Sequence, residues 1–394
     1  MIVVTSLKGS GPGSLQEACA AEGPRTIVFA TSGVIEGDVV IEHGELTILG
    51  QTAPGAGITI AGSLKTRYRA QQPIDDLVVR FLRVRSANAR GASGDTLQFS
   101  ENKRVILDHV SAAWGTDETV DIFGAQDVTL QWCSIEESQT TGHPEGPHNY
   151  GLINGPQGAR VSIHHTLFAH HRRRCPAIAN GPADVRNNVV YNFRDGFHHD
   201  NPPKGGGYNV IGNYYKRGPS DPKIFPFCFQ GTTEYFLRDN YIDGVGTVQD
   251  PWAESGKLAG LAYYAAKGKK AERETAVPKV TTHSPQEAYE LVLQQAGGLP
   301  RDAVTARIVA EVKNGTGSWG KKPQDDLLAG LTPGKPLADS DSDGLPDDWE
   351  ATHGLDPKNG SDHSRAMPSG YPAIEEYANE LAAALIKAAQ TERP

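Results

Sequence analysis

No apolar run in this 394-residue chain approaches the roughly 18 residues of a membrane-spanning helix, so no membrane partner is expected. A basic excess is missing too: 38 Lys and Arg stand against 47 Asp and Glu, for a formal net charge of −9. Nucleic acid, which needs a cationic face, is disfavoured as a partner. The four cysteines, Cys19, Cys133, Cys175 and Cys228, are far apart and form no CxxC pair. Neither a zinc site nor a disulfide-dense scaffold is expected from them. The opening MIVVTSLKGSGPGSL enters a strand pattern at once and shows none of the basic, long-apolar and cleavage features of a signal peptide. It suits a cytoplasmic protein, or a mature secreted protein written without its signal. No stretch between the early strands is long enough, or periodic enough at 3.6, to be a crossover helix, which disfavours doubly wound α/β folds and TIM barrels.

The chain is instead rich in turns, with 44 Gly and 26 Pro, and it repeats itself. LVVRFLRV at 77, RVILDHVSA at 104, DVTLQWCSI at 127, RVSIHHTLF at 160, DVRNNVVYN at 184, NVIGNYYKR at 209 and FLRDNYIDG at 236 share one form. Each is a short β-branched or apolar strand, a polar pair, and a second short strand. Val105, Val128, Val161, Val185 and Val210 are read as equal-phase positions. Units of this length without helices fit a parallel solenoid, in which residues of equal phase stack in ladders about 4.8 Å apart. Asn187 or Asn188, Asn213 and Asn240 are placed as an internal polar ladder. EESQTTGHPEGPHNYG is expected to bulge from one coil as a loop. Ser14 and Glu17 have capping-box spacing, so residues from about 15 to 22 should form a short helix covering the open first coil. The fold expected is all-β, a right-handed parallel β-helix with a short helical N-terminal cap and a helical C-terminal tail.

Past residue 250 the character changes. HSPQEAYELVLQQAG, 283–297, offers Ser284 as N-cap, Pro285 at the first helical position and Glu287 in the box. In DSDSDGLPDDWE, Asp339, Asp341, Asp343, Gly344, Asp347 and Glu350 take loop positions 1, 3, 5, 6, 9 and 12. Hard oxygen donors at alternate positions, a turn glycine and a closing bidentate Glu suit Ca²⁺. With GLTPGKPLA ahead of it, the loop has no preceding helix. It resembles the single calcium loops of dockerin and thrombospondin type 3 modules. AIEEYANELAAALIKAAQ closes the chain as a helix. Two domains are expected: 1–330, a β-helix with capping helices, and 331–394, a tail with the EF-hand-like loop and terminal helix.

Two clusters could carry chemistry. Asp95 precedes a strand, and Asp117 and Asp121 stand four apart in WGTDETVDI. Coiling could bring the three together around a cation, and all-oxygen ligands point to Ca²⁺. The alternative is three solvated turn acids. One to two coils later HHRRRCP gathers Arg172, Arg173 and Arg174. Their forked guanidinium groups suit a ligand bearing carboxylates, or else they pair with Asp and Glu of neighbouring coils. His143 and His148, in the inserted loop, are candidates for ligand contact. His198-His199-Asp200 offers either a metal or catalytic cluster or the lining of a turn, and the turn is the reading preferred.

At these residues the chain resembles the pectate lyase family, polysaccharide lyase family 1. GDTLQFSENKRVILDHVSAAWGTDETVDI, HNYGLINGPQGARVSIHHTLF, HRRRCP and ADVRNNVVYNF carry the resemblance, in order, and it extends over about residues 3 to 320. It implies cleavage of polygalacturonate by β-elimination, with Ca²⁺ on Asp95, Asp117 and Asp121 and with Arg174 as the base. Neutralising Arg174 was expected to come from crowding by Arg172, Arg173 and Ca²⁺. Two departures bear on substrate: where many members carry a binding Lys this chain has His148-Asn149-Tyr150, and where they carry a second Arg it has Ala179. Arg172, Arg173, His148, Tyr150 and Lys204 are the replacements expected to bind substrate. The resemblance implies a secreted, monomeric enzyme whose partner is homogalacturonan, the acidic plant cell-wall polysaccharide. A hydrolase working through a close Asp/Glu pair and a non-catalytic glycan-binding solenoid are the competing readings.

Overall fold

A computed structural model describes residues 1–67, 74–86, 94–261, 268–321 and 323–391. The chain winds as a parallel β-helix whose strands form sheets of 11, 10 and 6 strands, joined coil by coil. One coil reads Lys103–Asp108, Ser111–Ala113, Glu118–Asp121, and the next reads Gln126–Gln131, Ser134–Glu136, Tyr150–Asn154. Between the first two strands of successive coils stands a single residue in the left-handed region: Phe81, His109, Trp132 and His165, with φ of 51–54°. One such residue turns the chain through a corner without a loop. Its bulky side chain is tolerated because it stacks on its neighbour, His109 at 4.5 Å from Phe81 and His165 at 4.3 Å from Trp132.

The interior is a column of aliphatic ladders. Val79, Leu107, Leu130, Ile163, Val185, Val210 and Leu237 pair in register across seven coils, all of them buried. Each such side chain contributes on the order of 1.5–3 kcal/mol by leaving water. This register corrects one equal-phase expectation. Val105, Val128 and Val161 do align, but Val161 pairs with Ala183 and Val185 with Ile163. The slip of two residues keeps every side chain on its face, which is why the sequence pattern does not betray it. The polar ladder runs through Asn188, not Asn187. Asn188 Nδ2 donates to Asn213 and Asn213 Nδ2 to Asn240, both at 3.0 Å.

Among the described residues five α-helices decorate the solenoid: α1 (Leu15–Ala20), α2 (Pro285–Gln295), α3 (Ala303–Asn314), α4 (Asp347–His353) and α5 (Ala373–Thr391). Ser14 caps α1 and the full Ser284–Glu287 box caps α2, as expected. α3 was not anticipated, although Asp302 caps it and Val304, Ile308, Val309 and Val312 form its buried stripe. No described helix is long and apolar enough to cross a membrane. The residues after 331 return to the first coils: Leu345, Ile374, Tyr377 and Ala378 pack with Val28 and Leu49.

Candidate active site

The 6-stranded sheet positions the candidate groups. Glu118–Asp121 lies between Leu97–Gln98 and Tyr150–Asn154, with Gln98 opposite Asp121 and Glu118 opposite Tyr150. Tyr150 bridges in turn to Arg173 on the next coil. Residues far apart in sequence therefore stand one strand spacing apart, and the three aspartates do meet. Asp95 accepts the Glu118 N–H at 3.0 Å. Carboxylate oxygens of Asp95, Asp117 and Glu118 lie within 4.8 Å of one another. Asp95 also hydrogen-bonds the Asp121 side chain, an arrangement of two acids that requires a shared proton.

Electrostatics follow from that crowding. Burial, then repulsion from Asp121 and Asp117, holds the Asp95 carboxyl well above the usual carboxylate range, and Arg174 offsets only part of it. Asp121 is raised by burial and by Asp117, against the Phe123 N–H and the side chains of Ser100 and Gln98. Anionic oxygens that force one another to hold protons are a donor set in want of a cation. Hard, all-oxygen and partly buried, they fit Ca²⁺.

Arg174 faces this cluster. It sits at φ 64°, a left-handed corner that swings its side chain out of strand alternation. Its guanidinium pairs with Glu118, stands 2.5 Å (Nε) from Asp200, and lies 4.2 Å from the centre of the Tyr150 ring. Burial lowers its pKa, while Asp200, Asp117 and Asp95 oppose that shift. The expectation that Arg172 and Arg173 crowd it is corrected. Arg173 turns instead to Asp195 at 3.0 Å and Asp200 at 3.5 Å. Arg172 is fixed through its backbone N–H, which donates to the Asn149 carbonyl and side chain. Arg173 and Arg174 thus meet carboxylates of neighbouring coils, the second of the two readings that the sequence left open.

Of the remaining candidates, His148 lies with its ring centre 4.7 Å from that of Tyr150, the planes tilted by 46°, and its Nε2 is 3.5 Å from Asp117. Lys204 is exposed and tied by its backbone N–H to Asn180, with no side-chain contact to the cluster among the described residues. Ala179 is buried. Glu118 was not anticipated, and Asp200, preferred as a turn residue, instead pairs with Arg174. Glu118 hides between two more obvious aspartates, and Asp200 reaches Arg174 only because the following coil passes beside it; its neighbour His198 holds it at 3.2 Å.

The C-terminal loop is a second carboxylate cluster. Asp339, Asp341 and Asp343 offer oxygens within 4.8 Å of one another, and so do Asp343, Glu350 and Asp362. Asp347 is corrected: it opens α4 and turns back to accept from the Ser340 N–H and hydroxyl at 2.7 and 2.8 Å. Asp362, from beyond the loop, closes the cluster instead. Glu350 is 0% exposed, yet neither of its carboxylate oxygens accepts a hydrogen bond. Burial, then Asp343, Asp341 and Asp362, pushes its carboxyl up. A buried acid with two orphaned oxygens aimed at four others fits a hard cation.

A parallel solenoid with an acidic cluster facing an arginine across one sheet defines a class, the β-helical enzymes and binders of acidic glycans. Comparison narrows it. No family model matches the chain. The protein named probable pectate lyase C of Aspergillus terreus is 36% identical over 399 residues, which cover 96% of this chain and 88% of the relative. Its namesake from Neosartorya fischeri is 35% identical over 406 residues, with the same coverage. The chain belongs to the pectate lyase family. Among solved structures, Bacillus sp. N165 pectate lyase Bsp165PelA, in complex with trigalacturonate, aligns with a TM-score of 0.51 at 16% identity, over 75% of this chain and 93% of that one. The thermostable pectate lyase PL 47 aligns with a TM-score of 0.54 at 13% identity, over 75% and 91%. At those identities the likeness is one of fold.

Proposed function

We propose that the chain cleaves polygalacturonate by calcium-dependent β-elimination, with residues 1–330 as the catalytic solenoid. The observation that carries this reading is the meeting of Asp95, Asp117 and Asp121 with Arg174 on one sheet face. The names of its relatives support it. Ca²⁺ held by the three aspartates would neutralise a uronate carboxylate and stabilise the charge that builds on it as the adjacent C5–H bond breaks. Arg174 in its neutral guanidine form, which burial favours, receives the C5 proton and becomes guanidinium. The C–H electron pair becomes the C4–C5 double bond, and the C4–O pair leaves with the glycosidic oxygen, which is then protonated. No water is consumed. Burial prepares Arg174 for this role, and Asp200 orients it. Glu118 belongs both to the Arg174 ion pair and to the carboxylate cluster, so charge bound at the cluster competes with Arg174 for it. Tyr150, His148, Arg172, Arg173 and Lys204 are the residues proposed to bind the substrate. Pectin lies outside cells, so secretion follows from this reading.

The test is ultraviolet absorbance of the unsaturated product on polygalacturonate. The wild type should give a rise that chelator abolishes and added calcium restores. A chelator-insensitive reaction, or reducing ends appearing without unsaturation, would mean a different chemistry.

We further propose that 331–394 is a calcium-stapled appendage, with Asp339, Asp341, Asp343, Glu350 and Asp362 as ligands and Asp347 as a brace. A ligand bound only to the folded state stabilises it by about 2.7 kcal/mol at a hundredfold excess over Kd. Calcium should therefore raise the melting temperature by several degrees, and Glu350→Gln should erase most of that rise while lyase activity persists. An unchanged calcium response in Glu350→Gln would remove the loop from the ligand set.

A further inference from the structure

Beside the oxygen cluster, the inserted loop builds a site of different chemistry. His143 Nε2 and His148 Nε2 each stand 3.5 Å from an oxygen of Asp117, one from Oδ2 and the other from Oδ1. The two ring centres lie 3.6 Å apart with their planes tilted by 36°, and the three donor atoms lie within 4.8 Å of one another. We propose that His143, His148 and Asp117 form a binding site for a borderline divalent cation of the Zn²⁺ class, distinct in preference from the all-oxygen cluster next to it.

Three observations carry the proposal. The first is ligand type: two imidazoles and one carboxylate suit Zn²⁺, Co²⁺ or Ni²⁺ far better than Ca²⁺. The second is spacing. Ligand distances of about 2.0–2.2 Å put the corners of a tetrahedron about 3.3–3.6 Å apart, and each Nε2 already stands 3.5 Å from one of the two Asp117 oxygens. The third is orientation. His148 Nδ1 lies 3.0 Å from the Gly146 carbonyl and must donate to it. That bond orients the ring so that Nε2, the remaining ligand atom, is aimed at Asp117. His143 receives the Glu145 N–H at Nδ1 at 3.2 Å. On ion binding it gives up that bond, and its proton moves from Nε2 to Nδ1.

Three protein ligands leave a fourth position open, and Asp117 places it beside the cluster. Where many family members are expected to carry a lysine, this chain would present a cation bound by histidines to a substrate carboxylate. That last step rests on the lyase reading; the site itself does not.

The test uses the intact chain and Co²⁺ as the probe, so no turnover is read, and failure here is separable from failure of the lyase assignment. The wild type should develop the intense visible bands of tetrahedral Co²⁺, displaced by Zn²⁺ and not by Ca²⁺ at equal concentration. His143→Gln and His148→Gln should each weaken Co²⁺ binding at least about 100-fold. His143→Cys should keep the affinity and add a thiolate-to-cobalt band, which also guards against misfolding as the cause of loss. A pale octahedral spectrum in the wild type, or tetrahedral bands surviving in both Gln variants, would overturn the proposal.

Discussion

Arg174→Lys is expected to lower kcat on polygalacturonate by about 10²–10⁴-fold, the range set by loss of a positioned proton-transfer group. The melting temperature should barely move. Lysine keeps a cation between Glu118 and Asp200, so neither buried carboxylate is orphaned. It cannot keep the forked geometry that lets one guanidinium serve both acids while lying on Tyr150. Arg174→Ala is the poorer test, because two unpaired carboxylates would confound a catalytic loss with local rearrangement. KM should change far less than kcat if Arg174 acts in the transition state. Near-normal kcat in the Lys variant would move proton abstraction to another group and leave Arg174 a binding role.

The second large effect lies away from the site. Arg85 is 0% exposed, with Nη1 2.6 Å from Glu136 and Nη2 2.8 Å from Asp302. Asp302 caps α3 and Glu136 belongs to the 10-stranded sheet, so one guanidinium fastens helix to solenoid. Arg85→Met should cost about 3–5 kcal/mol in urea unfolding, because it removes the guanidinium that hydrogen-bonds both buried acids and leaves only the charge of Arg83 near Asp302. Replacing all three members together with Met, Gln and Asn should recover much of the loss. A single-variant loss below about 1 kcal/mol, typical of exposed pairs, would show that water reaches the acids and that the triad does not hold α3.

The solenoid was legible because its logic is local. Short strands, a corner residue and a fixed interior face recur at steps of 21–35 residues (Arg25 to Leu46, Glu234 to Lys269), and the Asn188–Asn213–Asn240 ladder follows from the same phase. The two-residue slip after Val161 was illegible because parity survives it. α3 could have been found from Asp302 and its apolar stripe; the solenoid pattern simply drew attention elsewhere. Glu118, Asp200 and Asp362 belong to another category. Each joins its cluster through a neighbouring coil or a returning segment, and spacing within one stretch says nothing of that. The same gap reversed the sign around Arg174: adjacent arginines in sequence suggested crowding by cations, whereas the coils on either side supply anions.

The return of the last segment to the first coils changes how the molecule comes apart. A stacked array ordinarily frays from its ends, since each unit leans only on its neighbours. Here α5 lies over Gln51, whose amide donates to the Ala378 carbonyl at 3.4 Å, and continues to Gln295 at the end of α2. The opening coils are thus fastened to the tail and to the middle of the chain at once. Unzipping from the N-terminal end must wait for α5 to lift, so denaturation should be one cooperative event, and proteases should find no early foothold there. The same closure means that the first coils to leave the ribosome stay uncovered until the last residues arrive.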